Sequence, residues 1–148
     1  MKRLRLRLLD AHAEAERRFD LEATIATLAP HPVFEWHPDG RRIAGTSAVR
    51  EMYANFLPTW QALQAEGRLE FLAPRATWFN DEARIREELA VVRDVDGVEH
   101  RFAFVVAVIV GDDGIRGERL YGSPVLLDAL MGEHYATLPL DSTTRESQ

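Results

Sequence analysis

The sequence predicts an α+β fold, with helices first and an antiparallel sheet second. Two observations carry this expectation. Apolar residues recur at three- and four-residue steps up to about residue 63, and after Gly67 the pattern turns into extended segments separated by turn residues. The length of 148 residues suits one globular domain. We expect that domain over 1–140, followed by a polar tail, DSTTRESQ, over 141–148.

The elements follow in order. Residues 8–19 place Leu8, Leu9, Ala13, Ala15, Glu16 and Phe19 at helical spacing, and Asp20 offers an N-cap for a short second helix through Ile25 and Leu28. Pro30 and Pro32 end that helix. A strand at 33–37, the turn Pro38-Asp39-Gly40 and an extended piece at 41–45 read as a small hairpin. Thr46 or Ser47 caps a third helix, whose Val49, Met52, Tyr53, Phe56, Leu57, Trp60 and Leu63 form one apolar stripe, with Pro58 as its bend. Extended segments at 68–80, 82–94, 98–110 and 114–122 are divided by Asn80-Asp81, Asp96-Gly97 and Asp112-Asp113-Gly114.

Composition removes several function classes. With 24 acidic against 18 basic side chains the net charge is −6, which argues against nucleic acid and anionic membrane surfaces as partners. No apolar run reaches the ~20 residues that span a bilayer, and the basic start runs into DAHAEAERR rather than a cleavage site. Cysteine is absent, so disulfides, thiol nucleophiles and thiolate metal sites are excluded, and the cytoplasm is the default location. Lys2 is the one lysine, which leaves Schiff-base chemistry without a candidate. His31, His37, His100 and His134 have no metal-ligand spacing, and we expect neither metal nor organic cofactor.

In 98–110 both alternating sets are apolar: Phe102, Phe104, Val106 and Val108 on one face, Ala103, Val105, Ala107 and Ile109 on the other. A half-exposed antiparallel strand should alternate with polar residues, so a second copy of the chain is expected over the outer face, as a homodimer.

Three strings, AERRFDLEATIATLAPHPVFE (15–35), HPVFEWHPDGRRIAGTSAVREMY (31–53) and GDDGIRGERLYGSPVLLDALMG (111–132), resemble in order and spacing the SnoaL-like domains of the nuclear transport factor 2-like superfamily. The resemblance implies a cone-shaped, cystatin-like roll: a curved antiparallel sheet packed on about three N-terminal helices, with a pocket between them. It implies no single activity, because the scaffold hosts isomerases, cyclases, dehydratases, epoxide hydrolases and binding modules. The ketosteroid isomerase set would fall on Trp36, His12 and Val106, and the limonene epoxide hydrolase acids near Leu120 and near Leu89 or Val91, so both sets are replaced. The Asp that commonly follows the last-strand Tyr in SnoaL-like cyclases is missing from Tyr121-Gly122-Ser123.

Alternation along the expected strands selects the pocket lining. It turns Phe34 and Trp36 inward, then Ile85, Glu87, Leu89 and Val91, then His100, Phe102, Phe104, Val106 and Val108, then Glu118 and Leu120. The helices add His12, Glu16, Tyr53, Phe56 and Trp60. The substrate walls are therefore expected from Phe34, Trp36, Phe56, Trp60, Leu89, His100, Phe102, Phe104, Val106 and Leu120, a lining suited to a hydrophobic small molecule.

Four residues carry the expected chemistry: His12 or Glu118 as general base, with Tyr53 and Glu87 orienting it or donating protons. Each has a plainer reading beside it. Glu118 and Glu87 have raised pKa if they sit among apolar side chains, the plainer reading being that Glu118 pairs with Arg116 or Arg86 across strands on a wet face, and one residue of register decides between these. His12 is either the base or a hydrogen-bonded core histidine, and Tyr53 either orients it or satisfies its own hydroxyl. Two functions follow. One is a SnoaL-like enzyme working by acid/base chemistry, of isomerase, cyclase or dehydratase type, on a cyclic or polyketide-like molecule; the other is a non-catalytic ligand-binding or dimerisation module.

Overall fold

The computed structural model describes residues 1–141; most of the expected tail, from 142 on, lies outside the described residues. The order is α1 (Arg3–Arg17), α2 (Leu21–Ala26), β1 (Leu28–His37), β2 (Arg41–Ala44), α3 (Thr46–Ala65), β3 (Leu69–Phe71), β4 (Ala76–Phe79), β5 (Ala83–Arg93), β6 (Glu99–Gly111), β7 (Gly114–Tyr121), α4 (Pro124–Met131) and α5 (His134–Thr137). The strands form one curved, unclosed sheet in the order β2-β1-β7-β6-β5-β3, with β4 also pairing β5. The fold is α+β as expected, but the sheet is mixed, because β1 runs parallel to β7 while every other pair is antiparallel.

α1 buries Leu9, His12 and Ala15, one residue per turn, against the sheet. Its end is turned by Phe19, a non-glycine residue in the left-handed region at φ 56. Two bonds close the turn, Phe19 N to Glu16 O at 2.9 Å and Asp20 N to Ala15 O at 3.0 Å. The Phe19 ring meets Trp60 edge-on at 5.3 Å, which ties the α1–α2 corner to α3. Asp20 then caps α2 by accepting from Ala23 N at 2.9 Å.

β1 begins at Leu28, five residues before the expected strand. Pro30 and Pro32 lie within it because the β1–β7 pairing skips from Leu28 to Val33, and the prolines, lacking N–H groups, occupy the skipped stretch. The expected strand at 68–80 is two short strands, β3 and β4, which pair with different parts of β5 and leave Pro74 between them. α4 was not anticipated as a helix. Ser123 caps it, Pro124 opens it, and Leu126, Leu127, Leu130 and Met131 are buried at one end of the core.

The inner sheet face meets α3 and α4 around Phe34, Trp36, Met52, Tyr53, Leu57, Phe104 and Leu127, and meets α1 through Leu9 against Val108, Val110 and Ile115. On the outer face Val105, Ala107 and Ile109 are half-buried and Ala103 is exposed. No helix among the described residues is long and apolar enough to cross a membrane.

Candidate active site

A cavity of about 540 Å³ lies between the concave face of the sheet and the helices. Phe34, Trp36, Phe56, Trp60, Phe71, Phe104, Val106 and Leu120 supply its apolar walls. Into one end project His12 and Glu16 from α1, Tyr53 from α3 and Glu118 from β7.

The helical spacing of His12 and Glu16 places both on the same side of α1, with Nε2 and Oε1 3.7 Å apart. His12 Nε2 also lies 3.2 Å from Glu118 Oε1 and 3.2 Å from the Tyr53 hydroxyl. Tyr53 donates to Glu16 Oε1 at 2.7 Å, which leaves its oxygen free to accept from His12. On the other side of the ring, Nδ1 lies 2.6 Å from Thr27 Oγ1, and Thr27 donates its own proton to Thr24 O at 2.6 Å. With that hydroxyl proton committed, Nδ1 must be the donor to Thr27. Neutral His12 therefore carries its proton on Nδ1, and the second proton of the imidazolium sits on Nε2, which donates to Glu118 and to the Tyr53 oxygen.

Burial and charge tune the group. Burial opposes the charged form of His12, but the charge of Glu16 and the hydrogen bond and charge of Glu118 outweigh it and raise the pKa above 6.5. Glu16 is raised to about 7, first by burial and then by the like charge of Glu118. Tyr53 is held well above 10 by burial and by the two carboxylates. Glu16 thus exchanges its proton near neutral pH, while burial and the two carboxylates keep Tyr53 protonated. Glu16 and Glu118 keep 19% and 16% of their side chains exposed, enough to reach a molecule in the cavity.

His12, Glu16 and Glu118 also place three donor atoms within 4.8 Å of one another, a set able to hold a divalent cation. The guanidinium groups of Arg84 and Arg86 line the same chamber and oppose added positive charge there.

The structure thus brings together His12, Tyr53 and Glu118, and places Phe34, Trp36, Phe56, Trp60, Phe104, Val106 and Leu120 on the cavity wall. Six residues expected on the lining lie elsewhere. β5 pairs with β6 so that Arg84, Arg86 and Glu88 face inward opposite Val108, Val106 and Phe104. Glu87 and Leu89 consequently point to the other face, where Glu87 meets Arg75 at 3.0 Å. The apolar run Ile85, Leu89 and Val91 suggested the opposite phase, yet the phase that faces the cavity is charged. His100 continues the inward set of β6, but it stands at the strand's first turn, beyond the cavity, half-exposed and 3.3 Å from Asp94. Phe102 borders a separate hollow with Arg68, Val92, Val125 and Ala129.

Thr27, Arg84, Arg86 and Glu88 escaped the sequence reading as site residues. The two-residue step Arg84, Arg86, Glu88 was a visible signal, since it marks a polar strand face. Thr27 carries no such signal, because only the fold brings it to His12.

No family model matches the chain, and no curated protein sequence matches it. Solved structures do. A protein from Jannaschia sp. CCS1 assigned as a SnoaL-like polyketide cyclase superposes with a TM-score of 0.64 at 9% identity, over 89% of this chain and 96% of its own. TerC, co-crystallised with polyporic acid, gives 0.63 at 16% identity, over 86% and 98%. A limonene-epoxide-hydrolase-like epoxide hydrolase of M. tuberculosis gives 0.57 at 18%, over 90% and 94%. At these identities the likeness is one of fold, and it matches the order and packing of the elements described above: the chain has the nuclear transport factor 2-like fold.

Proposed function

We propose that this protein is an enzyme that moves protons on a hydrophobic cyclic or polyketide-like small molecule, in an isomerisation, cyclisation or dehydration. The observation that carries this reading is the His12 Nε2 atom, held in one tautomer between Glu118, Tyr53 and Glu16 at the end of an aromatic cavity. His12 is the general base, taking a proton onto Nε2, and Glu118 holds the resulting imidazolium. Glu16, near pKa 7, returns a proton through Tyr53 or directly. Polyketide cyclase and epoxide hydrolase assignments among proteins of the same fold support the small-molecule reading, as does the co-crystallised polyporic acid of TerC.

The test is deuterium uptake from D₂O into a panel of cyclic ketones and polyketide-like compounds, followed by NMR. Exchange that needs the protein and falls ~10²-fold or more in His12→Ala supports the proposal. A compound that binds without exchange or turnover overturns it in favour of a binding module.

We further propose a cytoplasmic homodimer formed through the outer sheet face, where Val105, Ala107 and Ile109 remain half-buried. Light scattering at micromolar concentration should give twice the chain mass of 16.8 kDa; a monomeric mass overturns the dimer.

A further inference from the structure

α1 buries Leu9, His12 and Ala15, one residue per turn, so its apolar hold on the rest of the fold is narrow. Near its start the polar ties run to the exposed Asp112, which Lys2 and Arg5 meet at 3.0 and 2.9 Å. Pairs of that kind contribute little in water. The turn that leads into His12 is tied differently. Arg84 on β5 is more than nine-tenths buried and turns its guanidinium to α1, where Nη2 donates to Leu9 O and Nη1 to Asp10 Oδ1, each at 3.4 Å.

The sheet register sets this tie against the other half of the cluster. Arg84, Val108 and Glu118 lie in one row across β5, β6 and β7. At about 4.8 Å per strand, Arg84 and Glu118 leave the sheet roughly 10 Å apart. α1 lies over that row: Leu9 packs with Val108, and His12, in the next turn, reaches Glu118 at 3.2 Å. One stretch of helix is therefore held from both sides of the same row, by Arg84 on β5 and by Glu118 on β7.

Arg84 also places a fixed charge beside the imidazole. The ionisable groups facing His12 are Glu16 on its own helix, Tyr53 on α3, Glu118 on β7 and Arg84 on β5. Arg86, next inward on β5, is taken up by Glu88 at 2.6 Å. Asp10 offsets Arg84, but the Asp10 side chain is 78% exposed and water screens it, so the guanidinium is still felt at His12. Glu16 and Glu118 favour the imidazolium, and Arg84 opposes it. A base must be available in its neutral form, so this opposition favours proton transfer near neutral pH.

We propose that Arg84 is the positioning residue of the His12 cluster: it ties the His12 turn of α1 to β5, fixes His12 against Glu118, and sets a positive charge against the two carboxylates there. It acts through His12 and not on the ligand. The inference rests on the reading of His12 as general base and deepens it.

NMR of the intact protein tests the tie without any variant. The Nη–H protons of Arg84 should give NOEs to Leu9 and Asp10, and their absence overturns the proposal. Arg84→Met and Arg84→Lys test its consequence. In Arg84→Met the His12 imidazole should titrate at higher pH than in the intact protein. Deuterium exchange into 2-tetralone, as the cyclic ketone, should fall ~10-fold at pH 6.5, its pH dependence should move to higher pH, and KM should change less than threefold. Arg84→Lys keeps the charge and should recover most of the rate and of the titration. A loss equal at every pH with the His12 titration unmoved makes Arg84 merely structural and overturns the proposal, as does a lysine variant no better than the methionine one. If Arg84→Met does not fold, the NOEs and the Arg84→Lys titration, which should stay near that of the intact protein, decide the matter. If no cyclic ketone exchanges while the NOEs and the titration shift appear, the catalytic reading fails and the tie stands.

Discussion

Thr27 sets the tautomer of His12. The threonine hydroxyl gives its one proton to the Thr24 carbonyl at 2.6 Å, so it can only accept from Nδ1, at 2.6 Å on the other side. Its backbone carbonyl meanwhile accepts from Ile115 N at 2.9 Å, which joins the end of α2 to β7, the strand that carries Glu118. The base and its carboxylate are thus positioned from one residue.

Thr27→Val keeps the side-chain shape and removes the acceptor. Nitrogen-15 NMR of the imidazole, recorded above the His12 pKa, should show Nδ1–H in the intact protein and Nε2–H in Thr27→Val, while Thr27→Ser keeps Nδ1–H. Proton-exchange activity should fall ~10²-fold in the valine variant, since Nε2 then has no lone pair to offer, and return to within a few-fold in the serine variant. An Nε2–H signal in the intact protein would sink the assignment.

Four carboxylates of this chain are easily confused in sequence, and the structure separates them. Glu118→Gln and Glu16→Gln should each lower exchange activity by ~10 to 10²-fold, because each removes a proton partner of His12. Glu87→Gln should change it less than twofold, since Glu87 faces away and pairs with Arg75. Glu88→Gln should act on ligand affinity rather than on exchange of bound ligand, since Glu88 lines the cavity from β5, opposite Phe104. Steady-state rates over a range of ligand concentrations separate these effects.

The helix stripes, the turns and the change to extended segments were legible because each rests on local periodicity or on a turn residue. α1 shows this well: the spacing that buries Leu9, His12 and Ala15 also aims His12 at the cavity. Strand phase on β5 was not legible. Its Ile85, Leu89 and Val91 read as the inner set, but the cavity takes Arg84, Arg86 and Glu88, whose charges are met by each other and by Asp10. Hydrophobicity marks the buried face only where no polar cavity competes for it. The parallel pairing of β1 with β7 was hidden for a different reason, since the two strands are far apart in the chain and no turn joins them.

Stability should fall as pH rises from about 5 to 8. Glu16 has its folded pKa raised from 4.5 to about 7, so between these values the folded state binds more protons than the unfolded chain, and the stabilisation is lost as pH climbs. His12, raised above 6.5, acts in the same direction: its contribution is complete below 6.5 and disappears as pH passes the folded value. The exposed carboxylates Asp94 and Asp112 have lowered pKa values and act oppositely, at pH below about 4. Urea unfolding at pH 5.5 and 8 should therefore differ by on the order of 1–3 kcal/mol, the lower pH being more stable. In Glu16→Gln most of that difference should vanish. A flat profile in the intact protein would show that the cluster does not hold its protons more tightly when folded.

Gly117 decides whether Glu118 reaches His12 at all. Its φ is +146, and a Cβ at this position would stand 1.7 Å from the Val33 carbonyl oxygen on β1. The pairing of β6 with β7 shifts at the same point: Ile109 faces Gly117, while Val110 already faces Ile115. The extra residue lets Ile115 pack against Leu9, Val108 and Val110 and still turns Glu118, three residues on, toward the same face. Gly117→Ala should accordingly destabilise the fold by about 3 kcal/mol or more, because backbone rather than a flexible side chain must yield. Where the variant still folds, β1 and β7 must separate, so the Glu118–His12 contact lengthens and the raised pKa of His12 should fall. Urea unfolding and a histidine NMR titration of the same variant check both parts. A variant as stable as the parent would mean that β1 and β7 do not pair in this register.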